Sequence, residues 1–160
     1  KLNGTFKATS GDDSGEILLS KTLTIEGNSS AVIDADNKCR IFNLQNYLIL
    51  KDVTLKNGDA DGSKGGGVYV SNIGELKIEG STFIVPPASA AAGKNDVYLA
   101  NGAKIRVNSG LTSTDPIVAR ITPADYNEGI TVLTGTTIDS DYTRFSVTQP
   151  AGSKEKPYFL

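Results

Sequence analysis

Asp59-Ala60-Asp61-Gly62 sets two carboxylates one residue apart and follows them with a glycine. That is how a calcium loop begins, because a small hard cation wants several oxygens from one tight turn. The third ligand pair and the closing glutamate of an EF-hand are missing. The favoured reading is a solvated turn. The alternative is a weak Ca2+ site at Asp59 and Asp61, with Asp34 or Asp36 supplying further oxygens. Lys64 and Gly65-Gly66-Gly67 follow at once. No helix pattern and no Lys-Ser/Thr pair succeeds these glycines, so they are not a phosphate loop. Asp34, Asp59, Asp61, Lys64 and Arg106 are the residues that could serve polysaccharide chemistry, as paired carboxylates or as cations beside a uronate.

Other chemistries are excluded by count. The 160 residues include no histidine. Ser-His-Asp and Cys-His-Asp constellations, histidine zinc sites and histidine bases are therefore absent. Cys39 is the single cysteine, so it has no internal disulfide partner and no histidine to activate it. It reads as a small core residue beside an apolar strand. The net charge of −2 offers no basic field for nucleic acid or anionic lipid. No apolar run reaches membrane-spanning length, and no signal peptide is visible. The abrupt start at Lys1-Leu2-Asn3 reads as an excised or mature fragment.

The elements that must carry these residues are short strands, and they repeat. "GGVYVSNIGELKIEGS" (66–81) and "NDVYLANGAKIRVNSG" (95–110) share one plan. Val68 matches Val97, Val70 matches Leu99, Leu76 matches Ile105 and Ile78 matches Val107. Upstream, Phe42, Leu44, Leu48 and Leu50 fit Val68, Val70, Leu76 and Ile78, while Val53 and Leu55 fit Ser81 and Phe83. A first copy at 17–27 supplies Leu19, Leu23 and Ile25. A period of roughly 25 to 29 residues built from alternating short strands is a solenoid signature. Stacked copies would build one apolar column. The expected fold is all-β, a right-handed parallel β-helix of about four to five coils, with right-handedness the default for such crossovers. An antiparallel β-sandwich is the competing architecture, but it does not require recurring offsets over several strands.

The register places Tyr69 beside Tyr98 outside the column, Glu75 over Lys104, and Lys51 under Glu79. Three long turns, 28–38, 57–66 and 85–95, are expected to project at one corner, with "ASAAAG" (88–93) a flexible loop. Residues 17–110 form clear coils. Residues 111–135 form a last coil, with apolar alternation over 113–121, a helical turn at 122–129 capped by Thr122 and Pro123, and a strand at 130–135. Residues 136–160 are a cap over the open end, or a tail, in one single β-helix domain, 1–160.

"GGGVYV…GELKIEGSTF" (65–83) resembles the Gly-Gly-Ala-Ile repeat of polymorphic outer membrane proteins and related autotransporter-like β-helix adhesins. Gly67 stands where that repeat usually has alanine, and Phe83 is not followed by its usual asparagine motif. "VARITPADYNEGITVLTG…DYTRFSV" (118–147) is similar to the ends of β-helix modules in treponemal surface lipoproteins. Both resemblances imply a bacterial cell-surface or secreted location and adhesion or display. They imply no catalytic residue.

The expected function is a noncatalytic adhesin or lipoprotein module that contacts a host surface protein or glycan. Tyr69, Tyr98, Asp59, Asp61 and Lys64 are the expected ligand-binding residues. End-to-end or edge self-association is a further expectation, since terminal coils expose strand edges. A polysaccharide lyase or glycoside hydrolase is the alternative function. Ice binding would need Thr-x-Thr on every coil, and only Thr22/Thr24 has it.

Overall fold

A computed structural model describes residues 1–8, 15–28, 30–87 and 93–149. The chain winds as a parallel β-solenoid of about five turns. The turns lay short strands on three sheets. The four-stranded sheet holds β1 (Thr5–Lys7), β4 (Val32–Asp34), β7 (Thr54–Lys56) and β10 (Phe83–Ile84). The six-stranded sheet holds β2 (Ile17–Leu19), β5 (Phe42–Leu44), β8 (Val68–Val70), β11 (Val97–Leu99), β13 (Ala119–Pro123) and β15 (Phe145–Val147). The five-stranded sheet holds β3 (Leu23–Glu26), β6 (Tyr47–Lys51), β9 (Glu75–Glu79), β12 (Ile105–Arg106) and β14 (Leu133–Thr134). A short helix, α1 (Ile138–Asp141), precedes a 3-10 turn at Tyr142–Arg144 and β15. Among the described residues no helix is long and apolar enough to cross a membrane.

Alternation within each strand, repeated in register, builds the column. Phe42, Val68 and Val97 align on the six-stranded sheet, as do Leu44, Val70 and Leu99. Leu48, Leu76 and Ile105 align on the five-stranded sheet. Ile33, Leu55 and Ile84 align on the four-stranded sheet. Nearly all of these are fully buried. Each Leu truncated to Ala here removes about 2–5 kcal/mol, because the stacked neighbours cannot collapse into the gap.

Several expectations are corrected. The solenoid starts before residue 17: β1 pairs with β4 through Phe6 and Ile33. Segment 28–38 is not one projecting turn, since Val32–Asp34 is a strand whose Ile33 enters the column. The register at the next corner shifts by one, so that Leu55 aligns with Ile84 rather than Phe83. The Gly80-Ser81-Thr82 corner is one residue longer than its counterpart. Its Thr82 is buried, with the hydroxyl donating to the Leu50 and Glu79 carbonyls. A one-residue slip exchanges the two faces of a strand.

Residues 122–129 form no helical turn. Thr122 and Pro123 close β13, and the Thr122 hydroxyl bonds Thr148 Oγ1 instead of capping. Ladder bonds and burial of Ile121 outweigh the local cap signal, while Asp125 turns the chain by accepting from Asn127 N at 3.0 Å. In the 113–121 stretch only 119–121 belong to a strand, and in 130–135 only Leu133–Thr134 do. Segment 136–149 is more regular than expected: after α1 it adds β15 to the six-stranded sheet, with Phe145 buried. The stretch 88–92 and the tail 150–160 lie outside the described residues.

Candidate functional site

The corner between the four- and six-stranded sheets carries the turns 35–41 and 57–67 and, among the described residues, 85–87 and 93–96. Positive-φ residues make the bends: Asp36, Asn37, Asn57, Asp61 and Asn95 all lie at φ between 44° and 59°. Asparagine and aspartate tolerate this conformation because their short side chains bond locally. Asp36 N donates to Asp34 Oδ1 at 2.9 Å, and Asp61 N donates to Asp59 Oδ1 at 3.0 Å. The two Asp-x-Asp pairs are therefore Asx turns.

Three of these four carboxylates are paired with lysines. Asp34 pairs with Lys56 at 3.3 Å, Asp36 with Lys7 and Lys38, and Asp59 with Lys94. The lysines lower the Asp36 carboxyl through hydrogen bonds from Lys7 and Lys38. Among the described residues, no group of three or more carboxylates or thiols converges at the distance a metal would need. The carbohydrate-chemistry residues are likewise spread apart. Arg106 lies on the five-stranded sheet, where it donates twice to Glu75 at 2.6 and 3.1 Å.

Two buried residues lock the corner. Asn95 Nδ2 donates to the Leu55 and Val85 carbonyls at 3.1 and 2.7 Å, and its Oδ1 accepts from Gly58 N at 2.9 Å. Asp96, fully buried, accepts from Gly66 N and Gly93 N at 2.9 and 3.0 Å. The glycine triplet exists for this packing. A Cβ on Gly66 would stand 2.1 Å from the Gly93 carbonyl oxygen, and Gly65 holds φ at 72°.

On this frame stands the aromatic pair. Tyr69 and Tyr98 occupy one register position on β8 and β11, and their rings stack with centroids 5.1 Å apart. Arg40 lies over Tyr69 at 5.2 Å and Lys64 Nζ over Tyr98 at 5.0 Å. Such contacts at exposed sites contribute about 0.5–1 kcal/mol each. Arg40 is a residue that sequence reasoning missed. It donates from Nε to the Gly65 carbonyl and from Nη2 to the Lys64 carbonyl, both at 3.0 Å, and from Nη1 to Glu16. Glu16 in turn accepts from Asn43 at 3.0 Å. The guanidinium thus fixes the turn that delivers Lys64. Burial pushes the Tyr98 phenol up, with Tyr69 adding to the effect. The Tyr126 phenol is also raised, by burial and then by Asp96 and Tyr98.

Of the expected binding residues, Tyr69, Tyr98 and Lys64 come together. Asp59 stands in the same turn, tied to Lys94, while Asp61 sits exposed at its tip. Cys39 is half-buried against the core, and burial and Glu16 push its thiol up. Lys51 does lie under Glu79 in register, but its ion pair is with Glu26, while Lys77 takes Glu79 and Glu75 takes Arg106 rather than Lys104. Compared with protein-family models, curated proteins and solved structures, the chain matches none.

Proposed function

We propose that this domain is a noncatalytic display module of a bacterial surface or secreted protein. It contacts a host protein or glycan through the corner turns and the outward face of the six-stranded sheet. The observation that carries this reading is the ordered stack of Arg40, Tyr69, Tyr98 and Lys64. Rings and cations held in place before a partner arrives lose little side-chain freedom on contact, so more of the interaction is left as affinity. Phenol hydroxyls, a guanidinium and an ammonium together suit hydroxyl- and carboxylate-bearing ligands. The lysine-paired aspartates and the backbone-bound glycines are accounted for by turn geometry and assign no step of catalysis.

The test is binding of the domain to panels of matrix proteins and glycans. Replacing Tyr69 and Tyr98 together by alanine is expected to weaken the recognised ligand on the order of tenfold or more, with the circular dichroism spectrum retained. Unchanged affinity in that double variant would remove the stack from the reading. Turnover of a pectin or uronate panel by the native domain would overturn the noncatalytic assignment itself.

A further inference from the structure

Three asparagines of this chain are followed by glycine: Asn3-Gly4, Asn57-Gly58 and Asn101-Gly102. Such a pair carries a latent reaction. Glycine has no side chain to keep its backbone nitrogen away from the asparagine amide carbon, and its backbone turns freely. What the fold does to the two groups decides whether they meet.

At Asn57 both groups are held. Asn57 Nδ2 donates to Asp34 Oδ1 at 2.8 Å, and Gly58 N donates to Asn95 Oδ1 at 2.9 Å. The Asn57 and Gly58 carbonyls accept from Asn37 N at 2.8 Å and Asn95 N at 2.7 Å. A Cβ on Gly58 would stand 2.1 Å from the Gly66 oxygen, so this backbone has no room to swing. Asn57 is exposed all the same, so access alone does not decide the matter. Asn3 is held by its side chain, whose Oδ1 accepts from Asn28 Nδ2 and Ser30 Oγ, both at 3.0 Å. Asn101 and Gly102 have neither device. Both are exposed, in a turn closed by one bond from Ala103 N to the Ala100 carbonyl at 2.9 Å. Among the described residues no backbone bond reaches the Gly102 N–H, and a Cβ there would meet nothing within 4 Å.

We propose that Asn101 is a site of spontaneous covalent modification, deamidated through a cyclic imide with Gly102. The Gly102 nitrogen attacks Asn101 Cγ. The new N–C bond forms as the Cγ–Nδ2 bond breaks, and the amide nitrogen leaves as ammonia with the proton of the Gly102 N–H. Water then opens the imide at either carbonyl and gives aspartate or isoaspartate. The step needs no oxidant. The product sets a carboxylate in the turn between β11 and β12, in a groove shared with Lys104 and Asp125. The isoaspartate form also lengthens that turn by a backbone methylene.

The test is incubation of the whole folded chain at mildly alkaline pH, where the attacking nitrogen loses its proton more readily. Trypsin releases the three pairs in separate peptides, 2–7, 57–64 and 95–104. Mass spectrometry with chromatographic separation of isoaspartate reads each one. A guanidinium-unfolded sample sets the incubation time at half conversion of Asn101, and there all three pairs should react at comparable rates. In the folded chain Asn101 is expected to stay close to its unfolded rate. Asn57 is expected to react roughly tenfold or more slowly, because it must wait for local opening. Asn95→Gly removes the acceptor of the Gly58 N–H and should speed Asn57 while leaving Asn101 unchanged. A folded chain in which Asn101 is as slow as Asn57 overturns the inference. So does one in which Asn57 is as fast as Asn101, since the dipeptide alone would then decide the rate.

Discussion

Two polar regions join successive coils, and they do so by different means. At the corner between the four- and six-stranded sheets the polar groups are buried and bond backbone to backbone across coils through Asn95 and Asp96. On the outer face of the five-stranded sheet the polar groups that cross coils are partly exposed side chains: Glu26 with Lys51 and Glu75 with Arg106. Water can replace the second kind of bond and cannot reach the first. The buried bonds of the corner should therefore carry stability, and the ion pairs of the outer face should carry little.

The largest effect is expected from Gly66→Ala. Its Cβ would meet the Gly93 oxygen at 2.1 Å and Asn95 N at 2.7 Å, both backbone atoms. A loss of about 3 kcal/mol or more should appear in the urea midpoint. Gly62→Ala in the same turn meets nothing within 4 Å and carries only the strain of its φ of 78°, so about 1 kcal/mol is expected. Equal losses from the two would mean that backbone packing is not what the corner depends on.

Next comes Asn95. Asn95→Gly keeps the left-handed turn but strips three bonds from buried backbone groups, with an expected loss of about 2–3 kcal/mol by denaturant unfolding. Asn95→Ala adds roughly 1 kcal/mol of backbone strain to that. A Gly variant as stable as the native domain would show that the side-chain bonds contribute nothing.

The smallest effect belongs to the outer face. Glu75→Gln should cost no more than about 1 kcal/mol at neutral pH. Arg106 holds the Glu75 carboxyl below its ordinary value in the folded state, chiefly by hydrogen bonding. A lowered folded-state pKa stabilises above the unfolded value of about 4.3 and stops doing so as pH falls through the folded value. The difference between native and Glu75→Gln stability should thus be full near pH 7 and close to zero in strong acid. A difference that grows on acidification would contradict the pairing.

The same contrast explains what the sequence discloses. The rows through Phe42, Val68 and Val97 and through Leu48, Leu76 and Ile105 are legible because each strand offers large aliphatics in alternation. The four-stranded sheet is not. Its strands turn a single apolar residue inward each, Ile33, Leu55 or Ile84, and one such residue cannot fix a register against the longer corner at Thr82. Thr122-Pro123 has good helix-start chemistry, yet strand pairing with Tyr98 and Leu99 decides its conformation. In the candidate site, the Tyr69–Tyr98 stack follows from equal register. Arg40 does not, because it reaches from one coil to carbonyls of the next. The recurrence of asparagine at 37, 57 and 95 was the available signal for the locked corner.

The shared register of the coils has a kinetic consequence. Every strand pairs only with its counterpart in the coil before and the coil after, so no contact must wait for distant parts of the chain to meet. Folding of such a ladder can nucleate in whichever coil is most stable and then zip outward, one coil at a time. The coils of Val68–Glu79 and Val97–Arg106, closed by Asn95 and Asp96, are the natural seed. Among the described residues, strands paired on one side only would be the last to join and the first to fray.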